Sequence, residues 1–198
     1  MATTSARRPP TPTSDMAAVD PDRLTFAIAT RDDAAAIARV RVDAARDLTA
    51  RFGHGHWSGE ATVRGVVAGM RQARLWLAWR DGEPVATFRL STRKPWAIDR
   101  AYFAPCARPL YLTDMAVAPA WQRRGVGRRC LDEARAAARA WPAGAIWLDA
   151  YDAPAGAGDF YARCGFVEVA RAAYRGVPLR YFADVVEPPA VSAPPPSR

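Results

Sequence analysis

The chain has few of the residues that build metal centres or disulfide frameworks. Its 198 residues include only three cysteines and two histidines. Cys106, Cys130 and Cys164 form no CxxC pair, and the histidines lie together in the segment His54-Gly-His56. This spacing matches neither a zinc site nor a disulfide framework, so we expect no metal. We expect the cysteines to act as small apolar packing residues.

The chain also lacks a long uncharged apolar run. A membrane-spanning helix needs about 20 consecutive, mostly apolar residues, and no such stretch occurs in the sequence. The N-terminus has no apolar segment of the kind that signal peptides carry. We therefore expect a cytoplasmic protein without a membrane partner. Half of the residues, 50%, are hydrophobic, which is enough for one domain with a full core.

Lysine is nearly absent, and arginine carries almost all of the positive charge. Lys94 is the only lysine, the formal net charge is +8, and the pI is about 10.1. Such an excess would suit a polyanionic partner. No basic run is interleaved with aromatic residues, however, as single-strand binding requires. A compositional bias toward arginine, alanine and proline explains the basicity, and we expect no nucleic-acid partner.

Proline-rich segments flank the central part of the chain. Residues 1–22 and 187–198 are rich in proline and small residues, a composition typical of flexible tails. Residues 23–186 then form one domain, in which strands and amphipathic helices alternate. The prediction is a mixed α/β (α+β) sheet. The predicted strands are 24–29, 75–79, 85–90, 110–117, 145–150, 166–170 and 179–186. The second and third of these are expected to form an antiparallel hairpin, because the Asp81-Gly82 pair between them tolerates the positive φ angles of a tight turn. The predicted helices are one from about residue 32, one capped by Ser58, 127–140 and 155–163.

A glycine-containing loop between a predicted strand and a predicted helix is the most informative segment. Residues 116–129 read AVAPAWQRRGVGRR. Gly125 and Gly127 let the backbone approach a ligand closely, and the N-terminus of the helix that follows favours an anion. The neighbouring arginines add positive charge for phosphate oxygens. The pattern predicts a pyrophosphate site, and for a bare Gly-x-Gly an ordinary turn is the alternative.

Two ordered motifs resemble the GNAT superfamily of N-acetyltransferases. The segment Gln122–Gly127 (QRRGVG) is similar to the family's Q/R-x-x-G-x-G/A motif. Downstream, Phe160–Phe166 (FYARCGF) is similar to its F-Y-x-x-x-G-F signature. The resemblance covers the chain from about residue 24 to residue 186. It implies the family's fold, a mixed sheet of six to seven strands flanked by about four helices.

The resemblance also implies a function. It implies an enzyme that takes acetyl-CoA as cosubstrate and transfers the acetyl group to a primary amine of a small molecule or protein, without a metal. It allows a homodimer. The alternative is a non-catalytic acyl-CoA-binding or regulatory module of the same fold. The cofactor-binding residues implied by the resemblance are Met115, Ala116, Val117, Gln122, Arg123, Arg124, Gly125, Val126, Gly127 and Arg128.

Acetyl transfer requires an acid, a base and donors for an oxyanion. The resemblance assigns the acid to Tyr161, which would protonate the departing sulfur. Backbone N–H groups at Met115–Val117 are expected to hold the oxyanion. Asp114 is the predicted base, with Asp149 and Asp152 as competitors. Without the motif, Tyr161 would be expected to pack in the core, and Asp114 could equally satisfy backbone donors.

The loop between the first two predicted helices is expected to border the amine acceptor. His54, His56 and Trp57 lie there, and a histidine can deprotonate an amine near neutral pH. Solvent-exposed histidines in a glycine-rich turn are the alternative. A basic protein would not obviously attract a cationic acceptor, but local acids could outweigh the net charge. These acids are Asp47, Glu60, Asp114 and Asp149.

Overall fold

The computed structural model describes residues 24–186, so the predicted tails at 1–22 and 187–198 lie outside the described residues. The strands are β1 (Thr25–Ile28), β2 (Arg74–Arg80), β3 (Glu83–Ser91), β4 (Pro109–Val117), β5 (Ala145–Tyr151), β6 (Val167–Tyr174) and β7 (Val177–Val185). The helices are α1 (Ala34–Phe52), α2 (Val63–Met70), α3 (Val126–Ala140) and α4 (Gly158–Arg163). Within residues 24–186, none of them is long and apolar enough to cross a membrane.

The strands form one mixed sheet in the order β1-β2-β3-β4-β5-β7-β6. All neighbours are antiparallel except β4 and β5, which are parallel. The hairpin between β2 and β3 turns at Asp81 and Gly82, whose φ angles are 51° and 79°. Positive φ at both central residues matches the twist of the flanking strands. The predicted mixed sheet and the predicted hairpin are both confirmed.

The parallel strands β4 and β5 separate partway along their length. Their pairing is confined to Pro109 with Ala145, Leu110 with Ile146 and Tyr111 with Trp147. Beyond these residues β4 stays paired with β3 and β5 stays paired with β7. A cleft therefore opens between the carboxyl ends of the two strands, where ligands bind in many open α/β sheets.

The sheet carries helices on both faces because successive side chains of a strand point to opposite sides. In β2, Trp76 and Ala78 pack in the cluster that contains α3, whereas Leu75 and Leu77 pack against α1 and α2. The buried residues of α3 recur at three- or four-residue spacing, which places them on one side of the helix. They are Val126, Cys130, Leu131, Ala134 and Ala138. This packing holds the N-terminus of α3 at the cleft.

The start of α2 differs from the prediction. Thr62, and not Ser58, caps this helix, since its Oγ1 accepts a hydrogen bond from the Gly65 N–H at 3.1 Å. The Ser58 Oγ instead accepts from the Gly55 N–H at 3.1 Å and forms a hydrogen bond with Thr49 Oγ1 at 2.7 Å. Ser58 is thus used to attach the loop to α1, and the helix starts at the next residue that can cap it.

Candidate functional site

A cavity of about 500 Å³ lies where the end of β4 meets the N-terminus of α3. We call it the loop cavity. The opposite wall is formed by residues of α4 and its flanks, among them Phe160 and Tyr161. The structure brings eight of the ten predicted cofactor-binding residues together around it. They are Met115, Ala116, Val117, Gln122, Arg123, Gly125, Gly127 and Arg128.

The other two predicted residues have different surroundings. Val126 is buried in the core beneath the first turn of α3. Arg124 lies over the ring of Trp121, with its guanidinium carbon 5.4 Å from the ring centroid. Arg124 therefore contributes positive charge near the loop, and Val126 anchors the helix from below.

The loop before α3 is shaped by left-handed backbone. Gly125, the N-cap of α3, has φ 81°, and Arg123 has φ 59°. The Gln122 Nε2 donates to the Val117 carbonyl at 3.1 Å, which attaches the loop to the end of β4. Because the cap is a glycine, no side chain covers the first N–H groups of the helix. These groups and the helix dipole favour an anion such as a pyrophosphate.

Gly127 allows α3 to approach α4. A Cβ at this position would lie 3.0 Å from the Phe160 Cζ and 3.6 Å from the Met115 Cε. The first of these distances is too short for a comfortable contact between carbon atoms. The absence of a side chain here keeps the loop cavity open between the two helices.

Tyr161 lies at the inner end of the loop cavity and is 8% exposed. Its ring packs against Phe160, Phe166 and Phe182, at centroid distances of 5.3, 5.8 and 5.9 Å. The hydroxyl donates only a long hydrogen bond, 3.8 Å, to the Met115 Sδ. Burial raises the pKa of the Tyr161 phenol above its usual value. The phenol is therefore a proton donor that stays protonated.

The opening between β4 and β5 forms a second cavity of about 440 Å³, which we call the strand cleft. Met115 and Tyr161 line both the strand cleft and the loop cavity. A group bound at the loop and a group bound in the cleft would therefore meet at these two residues. The cleft is also lined by Thr113 and Asp114 of β4 and by Asp149, Ala150 and Tyr151 of β5.

Asp114, the predicted base, lies in the strand cleft but is engaged by two arginines. Its φ of 53° accompanies an irregularity in the pairing of β3 with β4. Its carboxylate lies 3.1 Å from the Arg89 Nε and 3.5 Å from the Arg41 Nη1. The Arg89 Nε also donates to Thr113 Oγ1 at 2.8 Å. Asp114 therefore holds the arginines in position, whatever else it does.

The two competing carboxylates differ from Asp114 and from each other. Asp149 is half-buried in the strand cleft, and within residues 24–186 no lysine or arginine forms an ion pair with it. Desolvation raises the pKa of the Asp149 carboxyl, and a backbone hydrogen bond offsets part of that rise. Asp152 lies further along and pairs with Arg171 on β6 at 3.5 Å. Of the two, only Asp149 has the surroundings of a basic carboxylate.

A third cavity of about 530 Å³ lies between α1, α2 and the end of β4, and we call it the helix cavity. Trp57 lines it, while both histidines are solvent-exposed. The Tyr151 hydroxyl donates to the His56 carbonyl at 3.2 Å, and the Trp57 Nε1 donates to the Gly53 carbonyl at 3.1 Å. The loop therefore borders this cavity through Trp57 and through no imidazole.

Sequence reasoning missed two arginines that line the helix cavity, Arg41 and Arg89. No motif contains them. One signal was available, because Arg41 follows Ile37 by four residues and precedes Ala44 by three. It therefore lies on the apolar face of α1. A charged residue at a core-facing position indicates a specific role more often than an exposed one does.

The chain is similar to known proteins in its sequence profile and in its fold. Residues 42–166 match the sequence profile of a family described as the acetyltransferase (GNAT) family. No curated protein sequence matches the chain. Among the described residues, no group of three or more histidine, cysteine, aspartate or glutamate side chains could hold a metal ion.

Solved structures share the arrangement of the chain. An acetyltransferase of the GNAT family from Listeria monocytogenes superposes with a TM-score of 0.65 at 16% identity, covering 82% of this chain and 94% of that one. The ribosomal-protein-S18-alanine N-acetyltransferase from Escherichia coli gives 0.61 at 15%, covering 89% and 100%. The yncA protein of Salmonella typhimurium, solved with its cofactor acetyl-CoA, gives 0.61 at 15%, covering 85% and 96%. At such identities the likeness concerns the fold.

Proposed function

Because the chain belongs to the acetyltransferase (GNAT) family, we propose that it is an N-acetyltransferase that moves the acetyl group of acetyl-CoA to a primary amine. The family and the fold predicted from the two motifs are confirmed. One observation carries the proposal. The loop cavity and the strand cleft meet at Met115 and Tyr161, so that two substrates bound in them would react beside a protonated phenol.

The loop cavity has the chemistry that the cosubstrate requires. The glycine cap of α3 and the arginines at 123 and 128 suit the pyrophosphate of coenzyme A. The edge of β4 at Met115–Val117 has parted from β5. Its main-chain groups can therefore pair with the pantetheine arm as an added strand would. A backbone N–H of the same edge is our proposed donor to the oxyanion.

We propose Tyr161 as the acid. When the amine nitrogen bonds to the acetyl carbon, the carbon–sulfur bond breaks and the sulfur leaves as a thiolate that needs a proton. The Tyr161 hydroxyl carries a proton at neutral pH, because a phenol has an ordinary pKa of about 10 and burial raises the pKa of Tyr161 further. Its existing partner, the Met115 sulfur at 3.8 Å, is a weak acceptor. The hydroxyl can therefore turn to another sulfur at little cost.

For the base we favour Asp149 over the sequence-based choice of Asp114. A base must accept the proton of the attacking amine, and a carboxyl with a raised pKa does so more readily. Desolvation raises the pKa of Asp149, whereas the Asp114 carboxylate is occupied by ion pairs to Arg41 and Arg89. Asn variants of the two aspartates separate these hypotheses, because only loss of the base removes the acid limb of the pH–rate profile.

The first test needs no acceptor. Acetyl-CoA at about 100 times its Kd should stabilise the fold by about 2.7 kcal/mol, which a thermal unfolding scan detects. Gly127→Glu should abolish this stabilisation, because its side chain enters the loop cavity beside Phe160. Arg139→Glu, at the far end of α3, makes an acidic control that should keep it. A folded protein that millimolar acetyl-CoA does not stabilise would refute cosubstrate binding.

The second test is turnover, measured as thiol released from acetyl-CoA with a panel of amines. A non-catalytic acyl-CoA-binding module would be stabilised by acetyl-CoA and release no thiol with any amine. The helix cavity, about 530 Å³, falls in the range of small-molecule sites, about 300–1,000 Å³. Its size supports a small amine over a protein as acceptor. A homodimer stays a prediction that sedimentation can test.

A further inference from the structure

The helix cavity carries a positive charge that the proposed reaction does not use. Arg41 and Arg89, which we call the arginine pair, both line it. The Arg41 side chain is only 16% exposed, although other positions of the same helix are exposed to solvent. Burying a guanidinium costs free energy unless a partner compensates. A position that keeps such a group in a cavity is therefore a candidate for recognising an anion.

The protein itself does not fully neutralise the positive charge of the arginine pair. The arginine pair shares one carboxylate, Asp114, at 3.5 Å from Arg41 and 3.1 Å from Arg89. Two positive charges and one negative charge leave a surplus of one positive charge at this wall. The Nε and Nη2 of Arg41 are buried and have no hydrogen-bond partner among the described residues. An anion that entered the cavity would complete the balance.

The other carboxylates near the cavity do not supply it. Asp47 is paired with Arg51 at 2.6 Å on the surface of α1. Glu60 lies at the mouth of the cavity, is 76% exposed and is 4.0 Å from Arg46. Of the four acids expected to attract a cation, Asp47 and Glu60 therefore add little negative charge to the helix cavity, and Asp114 is shared by the arginine pair. A polyamine or an aminoglycoside would meet the arginine pair instead.

The charge changes sign along the path to the reaction centre. The helix cavity and the strand cleft share several lining residues, among them Arg89, Asp114 and Tyr151, so they are continuous. Arg41 lines only the helix cavity, whereas Asp149 lines only the strand cleft and forms no ion pair with an arginine or lysine of residues 24–186. A molecule lying across both would find positive charge at one end and a carboxylate beside Tyr161 at the other.

From this arrangement we infer that the acceptor is a small amino acid-like molecule, whose carboxylate binds the arginine pair while its amine points toward Asp149 and the acetyl group. The inference rests on the proposed acetyltransferase function and names its substrate class. Arg presents its donors in a fork that matches a carboxylate. Part of the remaining wall, at Ala44, Leu48 and Trp57, is apolar. It suits an uncharged side chain.

Matched acceptors test the carboxylate directly. Thiol release from acetyl-CoA is measured with the twenty common amino acids, with their carboxamides and with spermidine. Each carboxamide keeps the amine and the side chain and lacks only the negative charge. Removing a charge-assisted hydrogen bond from the substrate complex lowers kcat/KM by about 10- to 100-fold. We expect at least one amino acid to exceed its carboxamide by that factor.

Variants of the arginine pair test its part in the discrimination. Arg89→Gln should raise the KM for the amino acid, leave the KM for acetyl-CoA unchanged, and bring amino acid and carboxamide to within about threefold of each other. A structural role alone would lower the activity toward both acceptors equally. Arg41→Gln tests the second arginine in the same way. If this variant fails to fold, Arg41→Lys replaces it, because lysine keeps the buried charge and lacks the two-pronged donor geometry of a guanidinium. Arg39→Gln, exposed on the same helix, should change nothing.

The outcomes separate the inference from the function it rests on. Acetylation of spermidine or of the carboxamides in preference to free amino acids would overturn the inference and leave the acetyltransferase standing. An equal decrease for amino acid and carboxamide in Arg89→Gln would also overturn it. If no acceptor of the panel leads to thiol release, the inference is overturned. Stabilisation of the fold by acetyl-CoA would then favour the non-catalytic acyl-CoA-binding module, and a lack of stabilisation would refute cosubstrate binding as well.

Discussion

Replacing Tyr161 by phenylalanine removes one oxygen atom from the junction of the loop cavity and the strand cleft. The ring keeps its packing against Phe160, Phe166 and Phe182, whose centroids lie 5.3 to 5.9 Å away. The substitution removes one hydrogen bond, which joins the hydroxyl to the Met115 sulfur at 3.8 Å. An ordinary neutral hydrogen bond contributes about 1 kcal/mol, and this one is longer. The free energy of unfolding should therefore change by less than about 1 kcal/mol.

The effect on turnover should be far larger. Loss of a general acid lowers kcat by roughly 10²- to 10⁴-fold. The affinity for acetyl-CoA should stay constant, because the glycine loop and the arginines proposed to bind the pyrophosphate are not altered. Since burial raises the pKa of Tyr161, the phenol stays protonated at every pH below about 10, its usual pKa. Any alkaline fall in activity below that pH must come from another group.

Tyr181 makes a matched control for this experiment. It is 1% exposed, and its hydroxyl donates to the Ala97 carbonyl at 3.1 Å, in a separate core cluster. Tyr181→Phe should lower the stability by about 1 kcal/mol and leave kcat unchanged. Thiol-release kinetics and thermal unfolding of both variants give the comparison. If Tyr161→Phe kept kcat within about threefold of the wild type, the phenol would not be the acid.

Three further predictions concern the loop, the base and a thiol. Gly125→Ala should lower the free energy of unfolding by about 1–2 kcal/mol, and Tm by a few degrees, because residue 125 has a left-handed φ of 81°. Gly59 has a φ of −65° and is also in open space, so Gly59→Ala should leave Tm unchanged. Asp149→Asn should raise Tm at neutral pH while lowering turnover, because a raised pKa means that ionisation of the native carboxyl opposes folding. The gain in Tm should fade as the pH falls to the ordinary carboxyl pKa. A Tm below that of the wild type at pH 7 would contradict this prediction. Burial raises the pKa of the Cys130 thiol to about 12, so Cys130 should resist alkylation at pH 8 until the protein unfolds. The partly exposed Cys106 and Cys164 should react first. Equal labelling of the three cysteines in mass spectrometry would refute this.

Local sequence features predicted the elements that depend on local physics. The Asp81-Gly82 turn, the helix predicted at 127–140 and the glycine loop before it each follow from the properties of neighbouring residues. The cap of α2 could not be predicted in this way. Ser58 and Thr62 are both good caps, and the choice between them came from a hydrogen bond of Ser58 to Thr49 on α1.

The roles of the carboxylates depended on residues far apart in the chain. Asp114 was predicted as the base because the family that the motifs resemble often uses a carboxylate on this strand. Its arginine partners come from α1 and β3, which no local pattern connects to it. Asp149 differs because desolvation raises its pKa, and desolvation is a property of the assembled cleft.

The sequence by itself determined the family, the mixed sheet and the position of the glycine loop before α3, because glycine requirements and side-chain periodicity depend on adjacent residues. Only the tertiary structure decided that the loop cavity meets the strand cleft at Tyr161. It also brought Arg41 and Arg89 to one wall of a cavity. Burial, ion pairing and cavity shape arise when distant segments pack together, so the chemistry of the acceptor site depends on the whole fold.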